Sequence, residues 1–108
     1  MTISVADLFA KMPSAFLPEK AAGVEAVIQF KFTGEQAEDW FVTIKDGTCS
    51  ANQGIHPSPK LTLSAVGTDA VKVLTGEMDG MQAFMQGKLR LSGDMSLAMK
   101  LLSMFRMK

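Results

Sequence analysis

The ten residues from Val24 to Thr33 constrain this chain more than any other stretch. Val24, Ala26, Ile28, Phe30 and Phe32 alternate with Glu25, Val27, Gln29, Lys31 and Thr33. A period of two sustained this long predicts a strand with one apolar and one mostly wet face. An apolar strand face has to be covered, so the rest of the chain must supply both a sheet and a layer packed on it.

The flanking residues supply them. Gly34 to Asp39 reads as a polar turn, and Trp40 to Lys45 as the next strand, with Trp40, Val42 and Ile44 on one face. Asp46-Gly47 is a hairpin signal, because glycine accepts positive φ, and Thr48 to Asn52 returns as a third strand. Gln53 to Lys60 contains Gly54, Pro57 and Pro59 and is long enough for a crossover. Leu61 to Ser64 predicts a fourth strand and Lys88 to Ser92 a fifth.

The remaining segments have helical spacing. Ser4 caps a first helix carrying Val5, Leu8, Phe9 and Met12, with Asp7 in its first turn and Pro13 as its expected stop. Thr68-Asp69 opens a helix with Val71, Val73 and Leu74, closed by Gly76. Gly80 to Gln86 forms a short helix presenting Met81, Phe84 and Met85, ended by Gly87, and Asp94 caps the last helix. The order is helix, three strands, crossover strand, two helices, strand, helix. This is a mixed α/β (α+β) domain, with helices covering a five-stranded, largely antiparallel sheet. At 108 residues the chain is expected to be a single domain over 1–108, with about two thirds of its unfolded surface buried.

The last helix has more apolar surface than one sheet needs. Its polar positions Ser96, Lys100, Ser103 and Arg106 form one narrow stripe. Met95, Leu97, Ala98, Met99, Leu101, Leu102, Met104, Phe105 and Met107 fill the rest, well beyond the roughly 100° stripe that packs on a sheet. Something else must cover the excess: the rest of the domain, a partner chain or a ligand. Seven of the nine methionines lie from Met78 onward. Methionine is flexible and polarizable, and lines surfaces that re-pack around guests of varying shape.

The residue inventory argues against catalysis. His56 is the sole imidazole and sits in a Pro-flanked loop. The carboxylates are scattered over turns and helix starts, so no nucleophile–base pair or acid/base pair emerges. The glycines from Gly76 to Gly93 are too widely spaced for a phosphate loop. One cysteine, Cys49, and one histidine are too few for a zinc site of the usual kind, and no metal or cofactor is expected. Lys plus Arg equals Asp plus Glu at 11 each, which lacks the basic excess of a nucleic-acid binder. A lone cysteine fits a reducing compartment. The chain shows neither a secretory signal nor an apolar run of about 18 residues that would span a membrane. The expectation is a soluble, cytoplasmic protein.

The segment Leu74 to Phe105 resembles the sterol carrier protein 2 family, the sterol-binding domain family. The resemblance lies in Thr75-Gly76, Ala83-Phe84-Met85-Gln86-Gly87-Lys88-Leu89, Gly93-Asp94-Met95 and Leu97-Ala98-Met99-Lys100-Leu101. Upstream, the strand ending at Phe32, Asp46-Gly47 and Pro59-Lys60-Leu61-Thr62-Leu63 also fit, so nearly the whole chain is covered. The C-terminus lacks the peroxisomal tripeptide of some eukaryotic members, and the chain looks more like a free-standing bacterial one.

The resemblance implies a non-enzymatic carrier with a hydrophobic tunnel for a fatty acid, fatty acyl-CoA, phospholipid or sterol- or isoprenoid-like ligand. It places Met81, Phe84, Met85 and Gln86 beside that tunnel, with Gln86 as the polar member. Met95, Met99 and Leu102 close one side, and Ile28, Phe30 and Trp40 form sheet-side walls. The implied partner is a small hydrophobic lipid, with no nucleic acid, at most transient membrane contact, and a monomer or weak homodimer. The competing reading is a protein-interaction or dimerisation module that uses the apolar C-terminal helix.

Overall fold

The computed structural model describes residues 4–34, 37–101 and 104. Helix α1 (Val5–Ala15) begins with a capping box: Ser4 Oγ accepts from the Asp7 N–H at 3.0 Å, and the Asp7 carboxylate reaches back to the Ser4 N–H. Its Val5, Leu8, Phe9 and Met12 form the buried face. Pro13 does not stop the helix, as expected, but lies inside it. In the last turn a proline forfeits a single backbone bond, and the anchored apolar face carries the helix on to Ala15. The Ser14 hydroxyl donates to the Lys11 carbonyl at 2.9 Å. Pro18–Lys20 then forms one 3₁₀ turn.

Strand β1 (Ala26–Thr33) starts two residues later than the alternation suggests, because the Val24 N–H is engaged in a turn with the Ala21 carbonyl. Antiparallel to it runs β2 (Asp39–Lys45), with Phe30 opposite Trp40 and Ile28 opposite Val42. The turn expected over 34–39 lies partly outside the described residues. Asp46 and Gly47 both take positive φ, 54° and 73°, and hand the chain to β3 (Thr48–Gln53).

The segment after β3 crosses over, so that β4 (Leu61–Val66) lies parallel to β1 on its other side. It runs two residues beyond the expected Ser64. Helix α2 (Gly67–Leu74) follows at once, with extended Val66 as its N-cap, so Thr68 and Asp69 lie inside the helix and do not open it. Helix α3 (Gly80–Met85) is capped by Asp79. Strand β5 (Leu89–Gly93) pairs antiparallel with β4, and helix α4 (Met95–Leu101) closes the described chain. The sheet order is β3-β2-β1-β4-β5, antiparallel except for β1 with β4.

The register carries the core straight across the sheet. Phe30 lies beside Trp40 on one side and Leu63 on the other, and Leu63 beside Leu91. These residues face one layer of helices and join Leu8 and Phe9, Val71 and Leu74, Ala83, Leu97 and Leu101 in a single apolar cluster.

One position departs from the alternation. Gln29, on the face expected to be wet, is only 1% exposed. Its Nε2 donates to the carbonyls of Trp40 and Gly54, each at 3.0 Å, and its Oε1 accepts from the His56 N–H at 2.8 Å. The crossover folds over this part of the sheet, and the Gln29 amide is the peg that holds it. The His56 ring also packs edge-on against Phe41, with centroids 5.4 Å apart.

Candidate functional site

The apolar face of the sheet is organised around Phe9. Its ring stacks on Trp40 at 4.9 Å with the planes 4° apart, and meets Phe30 edge-on at 5.1 Å. Phe32 completes the group, 5.9 Å from Phe9. Such pairs contribute about 0.5–1.5 kcal/mol each beyond area burial. The Trp40 indole N–H donates to Glu38 Oε1 at 2.8 Å, so this amphipathic ring has its polar end satisfied at the sheet rim.

At the opposite end of the sheet the α4 segment is rooted by backbone. Gly93 takes φ +114°, and a Cβ there would overlap the Lys60 carbonyl. That carbonyl accepts from the Asp94 N–H at 2.9 Å. Asp94 Oδ1 in turn caps α4 by accepting from the Leu97 N–H at 3.1 Å. Leu97, Leu101 and Met104 follow at spacings of four and three and enter the core together. The Leu17 N–H donates to the Met104 carbonyl at 2.7 Å, tying the end of this segment to the chain just after α1.

A surface cavity of about 160 Å³ lies beside this root, between the start of β1, Lys60 and the Ser96, Leu97 and Lys100 side of α4. Ala26 and Leu97 supply apolar wall; Glu25, Lys60, Asp94 and Lys100 supply charge. Drug-sized ligands occupy roughly 300–1,000 Å³, so this space is smaller than a site that encloses such a ligand.

The residues that sequence reasoning assigned to a ligand fall into two groups. Ile28 and Phe30 are fully buried in the core, and Trp40 is half-buried beside Phe9. Phe30 and Trp40 are brought together as cross-strand partners on the Phe9 ring. Met81, Phe84 and Met85 on α3, and Met95 and Met99 on α4, are instead exposed. Gln86 is the C-cap of α3, its N–H bonded to the Gln82 carbonyl and its side chain exposed. Leu102 lies outside the described residues, as do Ser103, Phe105, Arg106 and Met107 of the expected long helix. Among the described residues of the wide apolar arc, Leu97, Leu101 and Met104 form an inner line and Met95 and Met99 an outer one.

Three contributors were not singled out from the sequence. Phe9 was visible only as one member of a helical stripe. Met104 was one apolar residue among many. Gln29 carried no signal, because a glutamine in an alternating strand reads as a wet position.

Among the described residues no group of three or more His, Cys, Asp or Glu is placed to hold a metal. Desolvation on β3 pushes the Cys49 thiol up to about 11, so it carries little thiolate near neutrality. His56 Nδ1 accepts from the Ser58 N–H at 3.0 Å, a turn contact. Among the described residues no helix is long and apolar enough to cross a membrane.

Comparison with known proteins bears on this arrangement. Residues 6–106 match the model of the SCP-2 sterol transfer family. Hydroxysteroid dehydrogenase-like protein 2 of Xenopus tropicalis is 35% identical over 97 residues, 88% of this chain and 23% of that protein. Sterol carrier protein 2 of Gallus gallus is 35% identical over 83 residues, 77% of this chain and 15% of that protein. The chain thus spans less than a quarter of the length of these relatives. Among solved structures, the palmitated sterol carrier protein 2-like 2 of Aedes aegypti superposes with a TM-score of 0.71 at 28% identity, covering 95% of this chain and 93% of that one.

Proposed function

The chain belongs to the SCP-2 sterol transfer family, and on that premise we propose that it is a carrier, not a catalyst, that takes up a single hydrophobic lipid between its sheet and its C-terminal segment. The observation that carries this reading is the split of the α4 segment into a buried inner line and an exposed outer one. Leu97, Leu101 and Met104 fill core space that an acyl chain can fill equally well, since neither has polar groups to satisfy. The segment is held by its root at Gly93-Asp94 and by the Leu17–Met104 bond at its far end. Lifting the segment requires release of the Leu17–Met104 bond together with the packing of Leu97, Leu101 and Met104, while the root stays in place. Met95, Met99, Met81, Phe84 and Met85 then supply adaptable apolar surface at the mouth, and Gln86 a polar contact for the head group. The relative solved with palmitate supports a fatty acyl ligand.

The energetics favour long chains. Burying a methylene contributes about 0.8 kcal/mol, and micromolar affinity needs about 8 kcal/mol. About ten methylenes reach that before ordering costs, and roughly fourteen to eighteen after them. Specificity among acyl lengths is low, because an apolar site discriminates single methylenes weakly.

Native mass spectrometry of gently purified protein, followed by titration with a fluorescent long-chain acyl probe, tests the proposal. A bound mass of a few hundred daltons and saturable uptake support it. The Phe84→Asp variant is expected to bind about tenfold more weakly or worse, because the new charge loses solvation when a lipid covers it. Phe84 is exposed, so the substitution places no charge in the core and the variant is expected to fold. The same exposed Met and Phe side chains favour a second reading, a dimerisation surface. A clean apo mass with no probe uptake, and a dimer by size exclusion that added lipid does not dissociate, would replace the first reading with this one.

A further inference from the structure

We propose that the exposed pair Met81 and Met85 on α3 and the exposed pair Met95 and Met99 on α4 are peroxide-sensitive modification sites whose oxidation to sulfoxide weakens lipid binding. The consequence for binding rests on the carrier reading above; the chemistry at the four sulfurs does not.

Access divides the described methionines, with Met78 half-buried between the extremes. Met99 is 81% exposed, Met85 78%, Met81 64% and Met95 47%, whereas Met12 and Met104 are at 0%. The exposed ones are paired at i and i+4, one pair on each helix, so each pair lies on one side of its helix. Leucine in these places would present the same apolar area without the reactivity. A thioether differs in having a lone pair that reacts with peroxides.

The reaction balances with a peroxide as sole co-reactant. A sulfur lone pair attacks the distal oxygen of hydrogen peroxide or of an organic hydroperoxide. The S–O bond forms as the O–O bond breaks. The hydroxyl proton passes to the leaving oxygen, which departs as water or an alcohol. Sulfur loses two electrons and the peroxide gains them, and methionine sulfoxide reductases reverse the step. The one thiol does not compete well: Cys49 is partly buried on β3, where desolvation holds it protonated, and the thiolate is its reactive form.

Sulfoxidation replaces a flexible apolar group with a polar, chiral one. At Met95 and Met99 it makes the outer line of α4 polar while leaving Leu97, Leu101 and Met104 in place. At Met81 and Met85 it does the same for the outer side of α3. The fold is kept and the apolar mouth is lost.

The test treats the full chain with graded hydrogen peroxide, maps sulfoxides by peptide mass, and measures a fluorescent long-chain acyl probe at each stage. The expected result is oxidation of Met99 and Met85 first, Met81 and Met95 next, and Met12 and Met104 only after unfolding. Probe affinity is expected to fall at least fivefold once the four are oxidised, with unchanged circular dichroism, and to recover on treatment with methionine sulfoxide reductases. Equal rates at Met12, Met104 and the outer four would overturn the site. Full oxidation of the four with affinity within twofold of the start, or a loss that reduction does not restore, would overturn the consequence. A variant with leucine at all four positions has its own baseline affinity, and that baseline is expected not to respond to peroxide; a persisting response puts the sensitive group elsewhere. Untreated protein that takes up no probe refutes the carrier reading and leaves the order of oxidation to be judged alone.

Discussion

Replacing Gln29 with alanine removes the side-chain hydrogen bonds that join β1 to Trp40, Gly54 and His56. The amide donates to the Trp40 and Gly54 carbonyls and accepts from the His56 N–H, all at 3.0 Å or less, in a position with almost no solvent access. A hydrogen bond contributes about 0.5–1.5 kcal/mol net, and an orphaned buried partner costs about 1–3 kcal/mol. Gly54 and His56 sit on a surface crossover where water can enter, which holds the total near the low end, at about 2–3 kcal/mol. At this length about 1 kcal/mol moves Tm by roughly 4–5 °C, so the midpoint should fall by roughly 8–15 °C. Urea denaturation followed by Trp40 fluorescence measures the change directly, because Trp40 is the sole tryptophan and borders the lost contact.

The near-isosteric Gln29→Glu variant separates bonding from shape. It keeps the volume but aims a carboxylate at two carbonyl oxygens, so at neutral pH it should destabilise at least as much as alanine. Protonating that carboxyl restores one donor. Its folded-state pKa therefore lies above its unfolded value, and the penalty, complete above the folded pKa, shrinks as pH falls through it. A glutamate variant as stable as the parent at neutral pH, or an alanine variant losing less than about 0.5 kcal/mol, would refute the idea that this amide pins the crossover.

Two further outcomes follow from the site. Gly93→Ala should destabilise the protein and loosen α4, since the added Cβ meets the Lys60 carbonyl and the backbone holds φ +114°; hydrogen exchange at the Leu97 and Ala98 amides should rise, and unchanged protection would place the root of the segment elsewhere. Cys49, held at about 11 by desolvation, should alkylate far more slowly in native than in urea-unfolded protein. Because its folded pKa lies above its unfolded value, its contribution to stability is complete below the unfolded pKa of about 9.0 and is lost as pH rises towards 11; stability that stays flat or rises across that interval would contradict the burial.

What the sequence determined by itself is whatever depends on a few adjacent residues. The alternation through Phe32 gave a strand because side-chain period is a local property of extended backbone. Asp46-Gly47 gave the hairpin because both residues tolerate positive φ. Ser4 and Asp94 capped their helices because the bonds they make span three residues. The family resemblance in Ala83 to Leu101 likewise sits in short runs.

Tertiary structure decided the rest, because there the partner lies far along the chain. Gln29 became a buried peg only when the crossover brought Gly54 and His56 over it, more than twenty residues away. Pro13 stayed helical because a face already packed on the sheet outweighed one missing bond. Met95 and Met104 are both methionines at apolar positions of one segment, yet one faces water and the other the core. That division follows from the angle at which the segment leaves Gly93 and from its return to Leu17, and neither is written in the residues of the segment itself.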